Sequence, residues 1–300
     1  MHHSTLVSVI CLCYNHERYI QECLDSIINQ THPNVELIIV DDFSLDNSRK
    51  IINEWIKNYD DIIFIENTQN LGNTRSFNHA LKRANGSYIV DLATDDVLLP
   101  NFIEKHLSNF NIKNNLNPGI SFCNVELIDE ENNHIGYHFE VNEKREAIEK
   151  PEEGDVFARL LDSYFINPVG MMIKKVVLDE LCGYDESLAY EDFDFWIRSS
   201  RYYDYIYLDS VVVKKRILKN SLSTLFLSGD KRQRRMDNAT YIVCKKAFIL
   251  IENVIEREAL LNRIIHEMKI VTKNLHLQLS LKYVGLYIKT KFLKFTPVSI

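Results

Sequence analysis

Hydrophobic positions in the first hundred residues come in two alternating patterns. Short runs dense in Ile, Val and Leu, at Leu6–Cys13, Val35–Val40, Ile62–Glu66 and Tyr88–Leu92, predict strands. Such runs, with little polar alternation, belong to parallel strands covered on both faces. Between them, Tyr19–Asn29 places Ile20, Cys23, Leu24 and Ile27 at helical spacing. Asp46–Tyr59, with Asp46 as N-cap, and Asn73–Arg83, stopped near Asn85-Gly86, predict two further helices. This alternation gives parallel strands joined by right-handed crossovers.

Beyond Pro100 the pattern predicts a helix, a strand over Ile120–Ile128 and a hairpin through the polar turn Asp129–Asn133. Residues 139–155 are charged and poorly patterned, and a mobile loop is expected there. Val169–Ile173 and Tyr205–Val213 read as later strands. From Lys231 there is no Gly or Pro until Gly285, and helical spacing is sustained over Thr240–Leu279. A boundary is expected near 215–230, dividing the chain into an α/β domain, 1–220, and a basic helical region, 221–300.

Charge sharpens that division. The net charge is −7 over 300 residues, but Val211–Ile300 carries +12 and the first 210 residues carry −19. An acidic body with a basic tail points to two tasks, and an anionic surface is the natural partner of the tail. Leu275–Lys294 interleaves apolar residues with Lys282, Lys289, Lys291 and Lys294, the pattern of a segment that lies on anionic lipid. No nucleic-acid partner is expected. The six cysteines form no CxxC pair, which argues against a structural metal or a disulfide framework. The first apolar run is too short to span a bilayer, His2 and His3 read as a disordered start, and a cytoplasmic protein is expected.

The candidate chemistry lies at the strand ends. Leu37–Val40 runs into Asp41-Asp42, Tyr88–Ala93 runs into Thr94-Asp95-Asp96, and Glu191-Asp192-Phe193-Asp194 follows later. Open α/β sheets bind ligands outside the carboxyl ends of their strands. Paired carboxylates there cost stability through repulsion and desolvation, and they suit a divalent cation with a phosphorylated ligand, plus a base. Tyr14, after the first strand, offers a face on which a base could stack while Asp42 accepts from a ring N–H. Arg75, at a helix start, suits a diphosphate. Neither GxGxxG nor GxxxxGK[ST] occurs, which removes the main support for dinucleotide and P-loop readings.

Several runs together resemble a family 2 glycosyltransferase. They are Val7-Ser8-Val9-Ile10 with Tyr14-Asn15, Ser26–Thr31, Glu36–Asp46, Asn70-Leu71-Gly72 with Arg75, Thr94-Asp95-Asp96 with Pro100, and Gly183-Tyr184-Asp185-Glu186 followed by Tyr190–Arg198. The resemblance covers roughly 6–215. It implies a GT-A fold, a Rossmann-like, mostly parallel central sheet flanked by helices, here with a C-terminal helical extension.

It also implies an inverting, metal-dependent transferase of hexosyl or N-acetylhexosaminyl type. Such an enzyme would move sugar from a nucleotide-sugar donor, usually a UDP-sugar, to a glycan or lipid-linked acceptor in surface polysaccharide or lipooligosaccharide synthesis. By motif position, Tyr14, Asp41 and Asp42 would serve the base, Arg75 the diphosphate, and Asp95 and Asp96 a Mg²⁺ or Mn²⁺ ion. Asp192 would be the catalytic base, oriented by Glu191 or Asp194. Work on a lipid-linked acceptor would place the protein peripherally on the inner face of the cytoplasmic membrane. Ala93 and Leu218 stand where the family often has a further aspartate and a histidine, which thins the metal site. Asn167–Met172 lies where the acceptor pocket is expected, although its Met pair suits a core. The competing readings are a sugar-phosphate nucleotidyltransferase, which would want a glycine-rich basic loop after the first strand, and a non-catalytic nucleotide-sugar-binding subunit.

Overall fold

The structure is a computed structural model that describes residues 5–112, 116–218 and 231–295. The expectation for His2 and His3, and most of the boundary expected near 215–230, lie outside the described residues. The chain forms two compact units. One comprises Met1–Gly154, Ile166–Tyr184 and Tyr203–Leu218, and the other Asp155–Phe165, Asp185–Tyr202 and Lys219–Ile300, each over its described residues.

The first unit is built on one sheet. Its strands are β1 (Val7–Cys13), β2 (Val35–Asp41), β3 (Ile63–Glu66), β4 (Tyr88–Ala93), β5 (Val97–Leu98), β6 (Pro118–Ile128), β7 (His134–Tyr137), β8 (Met171–Lys174) and β9 (Asp204–Arg216). The order is β3-β2-β1-β4-β8-β6-β9-β5, with β7 paired to β6. Strands β3, β2, β1 and β4 are parallel, as the Ile- and Val-rich runs require. β8 then enters antiparallel to both β4 and β6, and β6 and β9 run parallel to each other. Helices α1 (Ile20–Ile28), α2 (Ser48–Trp55), α3 (Asn73–Leu81) and α4 (Phe102–Ile112) follow the pattern read from the sequence. Buried Val7, Val9, Cys11, Leu37, Ile39, Val90 and Leu92 from the strands share one core with Ile20, Leu24 and Ile27 of α1. Side chains of that size each contribute about 1.5–3 kcal/mol when fully buried.

Local differences from the sequence reading have identifiable causes. Helix α2 begins two residues later than expected, because the Asp46 carboxylate takes the Ser48 N–H at 2.9 Å and the Glu17 N–H at 3.0 Å. Pro168–Gly170 is a 3-10 turn, and β8 starts only at Met171. Met171 and Met172 are buried strand residues, part of the core. The charged segment after Phe139 is tied down. Asn142 and Ile148 N–H groups bond Glu146 and Glu140 carbonyls, Ala147 N–H bonds Asp209, and Arg145 reaches Glu126 at 2.7 Å.

The second unit is helical: α5 (Phe157–Asp162), α7 (Asp192–Ser199), α8 (Lys231–Leu250), α9 (Val254–Lys273) and α10 (Leu277–Lys291), with α6 (Lys175–Glu180) belonging to the sheet unit. α5 packs on α7 and α9, and α7 on α8, so two short segments from the middle of the chain join the C-terminal helices. The long helical stretch divides at Asn253, whose side chain accepts the Glu256 N–H at 3.0 Å as an N-cap.

Candidate functional site

Each parallel strand delivers a loop to the same end of the sheet, and those loops are knitted to one another. After β1, Asn15 takes a positive φ of 59°, donates its N–H to Ser44 Oγ at 3.0 Å and accepts the Leu45 N–H at 2.8 Å. Glu17 accepts both the backbone and side-chain N–H groups of Asn47. His16 N–H reaches Ser48, while its ring Nδ1 lies 2.9 Å from Thr94 Oγ1 and 3.7 Å from Asp95 Oδ1. The loops after β1, β2 and β4 are therefore one assembly. Tyr14 stands on it, 43 % exposed.

The aspartates that end β2 divide their work. Asp42 is buried and accepts three N–H groups, Asn67 Nδ2 and Leu71 N on Oδ1 and Gly72 N on Oδ2, all at 2.8 Å. A carboxylate has about four lone-pair sites, so Asp42 chiefly fixes the loop after β3, with about one acceptor position left. That loop ends at Gly72, whose φ of +83° suits glycine, and opens α3. Arg75 is exposed in the first turn of α3. Asp41 is fully buried. Its Oδ1 accepts from Ser44 N and from Arg49 at 3.2 and 3.0 Å, while its Oδ2 has no partner among the described residues.

The aspartates after β4 are held differently. Asp96 is 3 % exposed and its Oδ1 accepts the Arg216 N–H at 2.8 Å. Burial first, and then the neighbouring Asp95 charge, push its acid well above the carboxylate range, against the Arg216 N–H and the charges of Lys215 and Arg216. Arg216, at the end of β9, is the residue that sequence reading missed. Its buried guanidinium donates to Asp95 O at 3.0 Å, Asp129 O at 3.1 Å, Asn132 Oδ1 at 2.6 Å and Glu22 Oε2 at 2.9 Å, and lies over the Tyr19 ring. Glu22 is 194 residues away in the chain, so no local motif announces the cluster. His16 is the other omission; its place in the Tyr14–Tyr19 loop is the signal that could have found it.

Among the described residues no group of three or more His, Cys, Asp or Glu is placed to hold a metal. The carboxylates on offer to an ion after β4 are those of Asp95 and Asp96, and Ala93 adds none. Two hard carboxylates fit an ion such as Mg²⁺, which takes one or two carboxylates and completes its shell with water and substrate phosphate. Cys13, at the end of β1, is no nucleophile: burial pushes its thiol up to about 11.

The Gly183-Tyr184 pair serves as a clamp in the sheet unit. Tyr184 N–H and C=O bond the Asn78 amide, its OH donates to Asp91 Oδ2 at 3.0 Å, and its ring stacks on Phe77. In the helical unit, Glu191 is the N-cap residue of α7 and Asp192 its first residue, both half-buried. Asp194 is fully buried between Arg198 at 2.6 Å and Lys246 at 2.5 Å, and Lys246 also holds Asp185 at 2.6 Å. Asp194 is thus committed to ion pairs.

With this geometry in view, the comparisons with known proteins decide the family. Residues 8–182 match the family model Glycosyl transferase family 2, more than half of the chain. The chain is a family 2 glycosyltransferase. An uncharacterized glycosyltransferase of Methanocaldococcus jannaschii is 34 % identical to the transferase over 233 residues, 76 % of either chain. A poly(ribitol-phosphate) beta-glucosyltransferase of Bacillus spizizenii is 42 % identical over 95 residues, 31 % of this chain and 15 % of that one. Among solved structures, S. aureus TarS 1–349 in complex with UDP-GlcNAc superposes with a TM-score of 0.65 at 17 % identity, covering 95 % of the transferase and 79 % of TarS. The mannosyltransferase PcManGT from Pyrobaculum calidifontis, in complex with GDP-Man and Mn²⁺, gives 0.57 at 15 % identity, covering 96 % and 87 %. At these identities the likeness establishes the fold, the GT-A architecture expected from the sequence.

Proposed function

We propose that the transferase moves a sugar from a UDP-sugar to a hydroxyl of a glycan or lipid-linked acceptor, with inversion, during assembly of a cell-surface polymer. The observation that carries this reading is the single hydrogen-bonded assembly of loops beyond β1, β2, β3 and β4. Those strand ends and loops carry Tyr14, Asp41, Asp42, Arg75, Asp95 and Asp96, all within the region matched to the family. UDP-GlcNAc on TarS supports the donor, and the Bacillus spizizenii relative supports a surface-polymer acceptor. Family membership favours sugar transfer over nucleotidyl transfer.

Tyr14 stacks on the base. The remaining acceptor position of Asp42 takes the single ring N–H of the uracil, with Asp41 buried beside it. Arg75 and the N-terminus of α3 meet the diphosphate. Asp95 and Asp96 would hold a Mg²⁺ or Mn²⁺ ion, a reading that the Mn²⁺ in PcManGT supports. Bound there, the cation would neutralise charge on the departing nucleoside diphosphate. Arg216 fixes both aspartates through their loop. Asp192 accepts the proton of the acceptor hydroxyl as its oxygen bonds the anomeric carbon and the C–O bond to the diphosphate breaks. A single displacement of this kind inverts the anomeric centre.

Calorimetric titration with UDP-GlcNAc, UDP-glucose and GDP-mannose, with Mn²⁺ or with EDTA, tests the donor and the metal together. Asp96→Ala should weaken UDP-sugar binding by about tenfold or more with Mn²⁺, on the order of 1.4 kcal/mol, and little with EDTA. Equal losses in both conditions would remove Asp96 from the metal site. Failure to bind any nucleotide-sugar, with no release of nucleoside diphosphate in the presence of acceptor, would overturn the proposal.

A further inference from the structure

Helix α10 carries two apolar faces, where a helix packed on a protein surface needs one. Leu279, Tyr283, Leu286 and Thr290 are buried, and these form the face packed in the helical unit, where α10 meets α8 and α9. A second set, Leu277, Leu281, Val284, Ile288 and Phe292, follows at intervals of four, three, four and four residues, which places it on the opposite side. These five are 66, 72, 41, 51 and 73 % exposed. Single exposed leucines are ordinary, but a continuous stripe of large apolar residues marks an interaction surface.

The charge around the stripe identifies its partner. From Met268 to Ile300 there is no Asp or Glu. Lys269, Lys273, Lys282, Lys289, Lys291 and Lys294 are all exposed along α9, α10 and the residues after it. A second copy of the chain would bring the same cationic surface against itself, and repulsion opposes that pairing. No helix among the described residues is long and apolar enough to cross a bilayer, and α10 has only 15 residues. An exposed apolar stripe flanked by lysines on a short helix is the arrangement that lies in the plane of a membrane surface.

We infer that the outward face of α10 docks the protein on anionic phospholipid, with Leu277, Leu281, Val284, Ile288 and Phe292 entering the acyl boundary and the lysines meeting the headgroups. The contact is independent of the donor assignment, so it can stand or fall separately from the proposed reaction.

Co-sedimentation of the full chain with vesicles of phosphatidylcholine, with and without phosphatidylglycerol, tests it. The intact protein should bind the anionic vesicles at low salt, ignore the neutral ones, and be released as salt rises. Leu281→Ser with Ile288→Ser should weaken that binding by about tenfold or more while the thermal melt is unchanged, since both side chains already face water. Lys282→Gln with Lys289→Gln should weaken it about thirtyfold, each lysine near such a surface contributing roughly a factor of five. Absence of binding to anionic vesicles, or binding that the serine pair leaves intact, overturns the inference. So does a dimer of the intact chain that the serine pair dissociates, which would make the stripe a contact between copies.

Discussion

The two units use charge in opposite ways. In the helical unit, buried charges are matched to one another. Asp194 lies between Arg198 and Lys246, Arg201 donates to Glu256 at 2.9 Å, and Arg263 meets Glu267 at 3.2 Å. At the strand ends of the sheet unit, Asp42 and Asp96 are held by backbone and amide N–H groups, while Asp41 also takes Arg49 at 3.0 Å. Asp42 has three such donors, Asp96 has one, and one oxygen of Asp41 has none. An ion pair fills both partners' needs and leaves a stable, chemically quiet cluster. A carboxylate held by neutral donors has no matched counter-charge to offset its burial, as the raised acid of Asp96 shows, and a cation or an N–H donor gains by arriving beside it. Acidic clusters that look alike in sequence therefore differ in the partners that hold them.

Asp192 is the residue able to break this contrast, since its proposed role as base would assign chemistry to the helical unit. Asp192→Asn should lower turnover by about 10²–10⁴-fold, the range for removal of a general base, and leave donor affinity nearly unchanged. Steady-state rates with calorimetric donor binding would check it. Turnover close to that of the intact enzyme would move the base to Glu191, because Asp194 is consumed by Arg198 and Lys246.

A stability measurement sharpens the contrast from the other side. Lys246→Met leaves buried Asp194 with Arg198 alone and removes Asp185's cation. Breaking a buried pair costs about 3–5 kcal/mol, and the surviving Arg198 contact should keep the loss near the lower end. The pH dependence follows from Asp185. Its burial raises the acid, but the bonds from Lys246 and Ser187 outweigh that and hold it at about 2. An acid depressed in the folded state adds stability that is complete above its ordinary value of 3.8 and is lost as pH falls through 2. Urea melts between pH 5 and pH 2 (roughly the span that covers both values) should show a steeper loss for the intact protein than for Lys246→Met. Parallel curves would detach Asp185 from Lys246.

Much of the sheet unit was legible because its signals are local. Ile- and Val-rich runs mark buried parallel strands, and adjacent aspartates directly after β2 and β4 fall at the sheet's carboxyl edge. What escaped depends on distant partners. Arg216 binds groups from Glu22 to Asn132, and β5 is two residues long and exists only through pairing with β9. The break at Asn253 carried a readable sign, Asn253 followed three residues later by Glu256, the pattern of a capping box, but continuous helical periodicity on either side masked it. That Asp155–Phe165 and Asp185–Tyr202 join the C-terminal helices is a packing outcome, and neither segment has a composition that sets it apart.

Glycine gives the smallest and cleanest test of how differently the two units are built. At Gly86, an added Cβ would meet Ser8 N at 2.5 Å, Ser8 Oγ at 2.6 Å and Leu6 O at 3.0 Å. Ser8 belongs to β1, paired with β2 and β4 on its two sides, so its backbone cannot retreat, and the Gly86 N–H bond to Ser8 Oγ would be strained as well. Gly86→Ala should therefore cost about 2 kcal/mol, within the range for overpacking a tight site. At Gly285, in the middle of α10, nothing lies within 4 Å of the same atom. Glycine in a helix interior is about 1 kcal/mol less favourable than alanine, partly through the greater freedom of the unfolded chain. Gly285→Ala should then stabilise the protein by up to about 1 kcal/mol. Denaturant midpoints of the two variants should move in opposite directions from that of the intact protein. A lower midpoint for Gly285→Ala would mean that α10 needs its glycine, and that the surface beside Val284 is covered in solution.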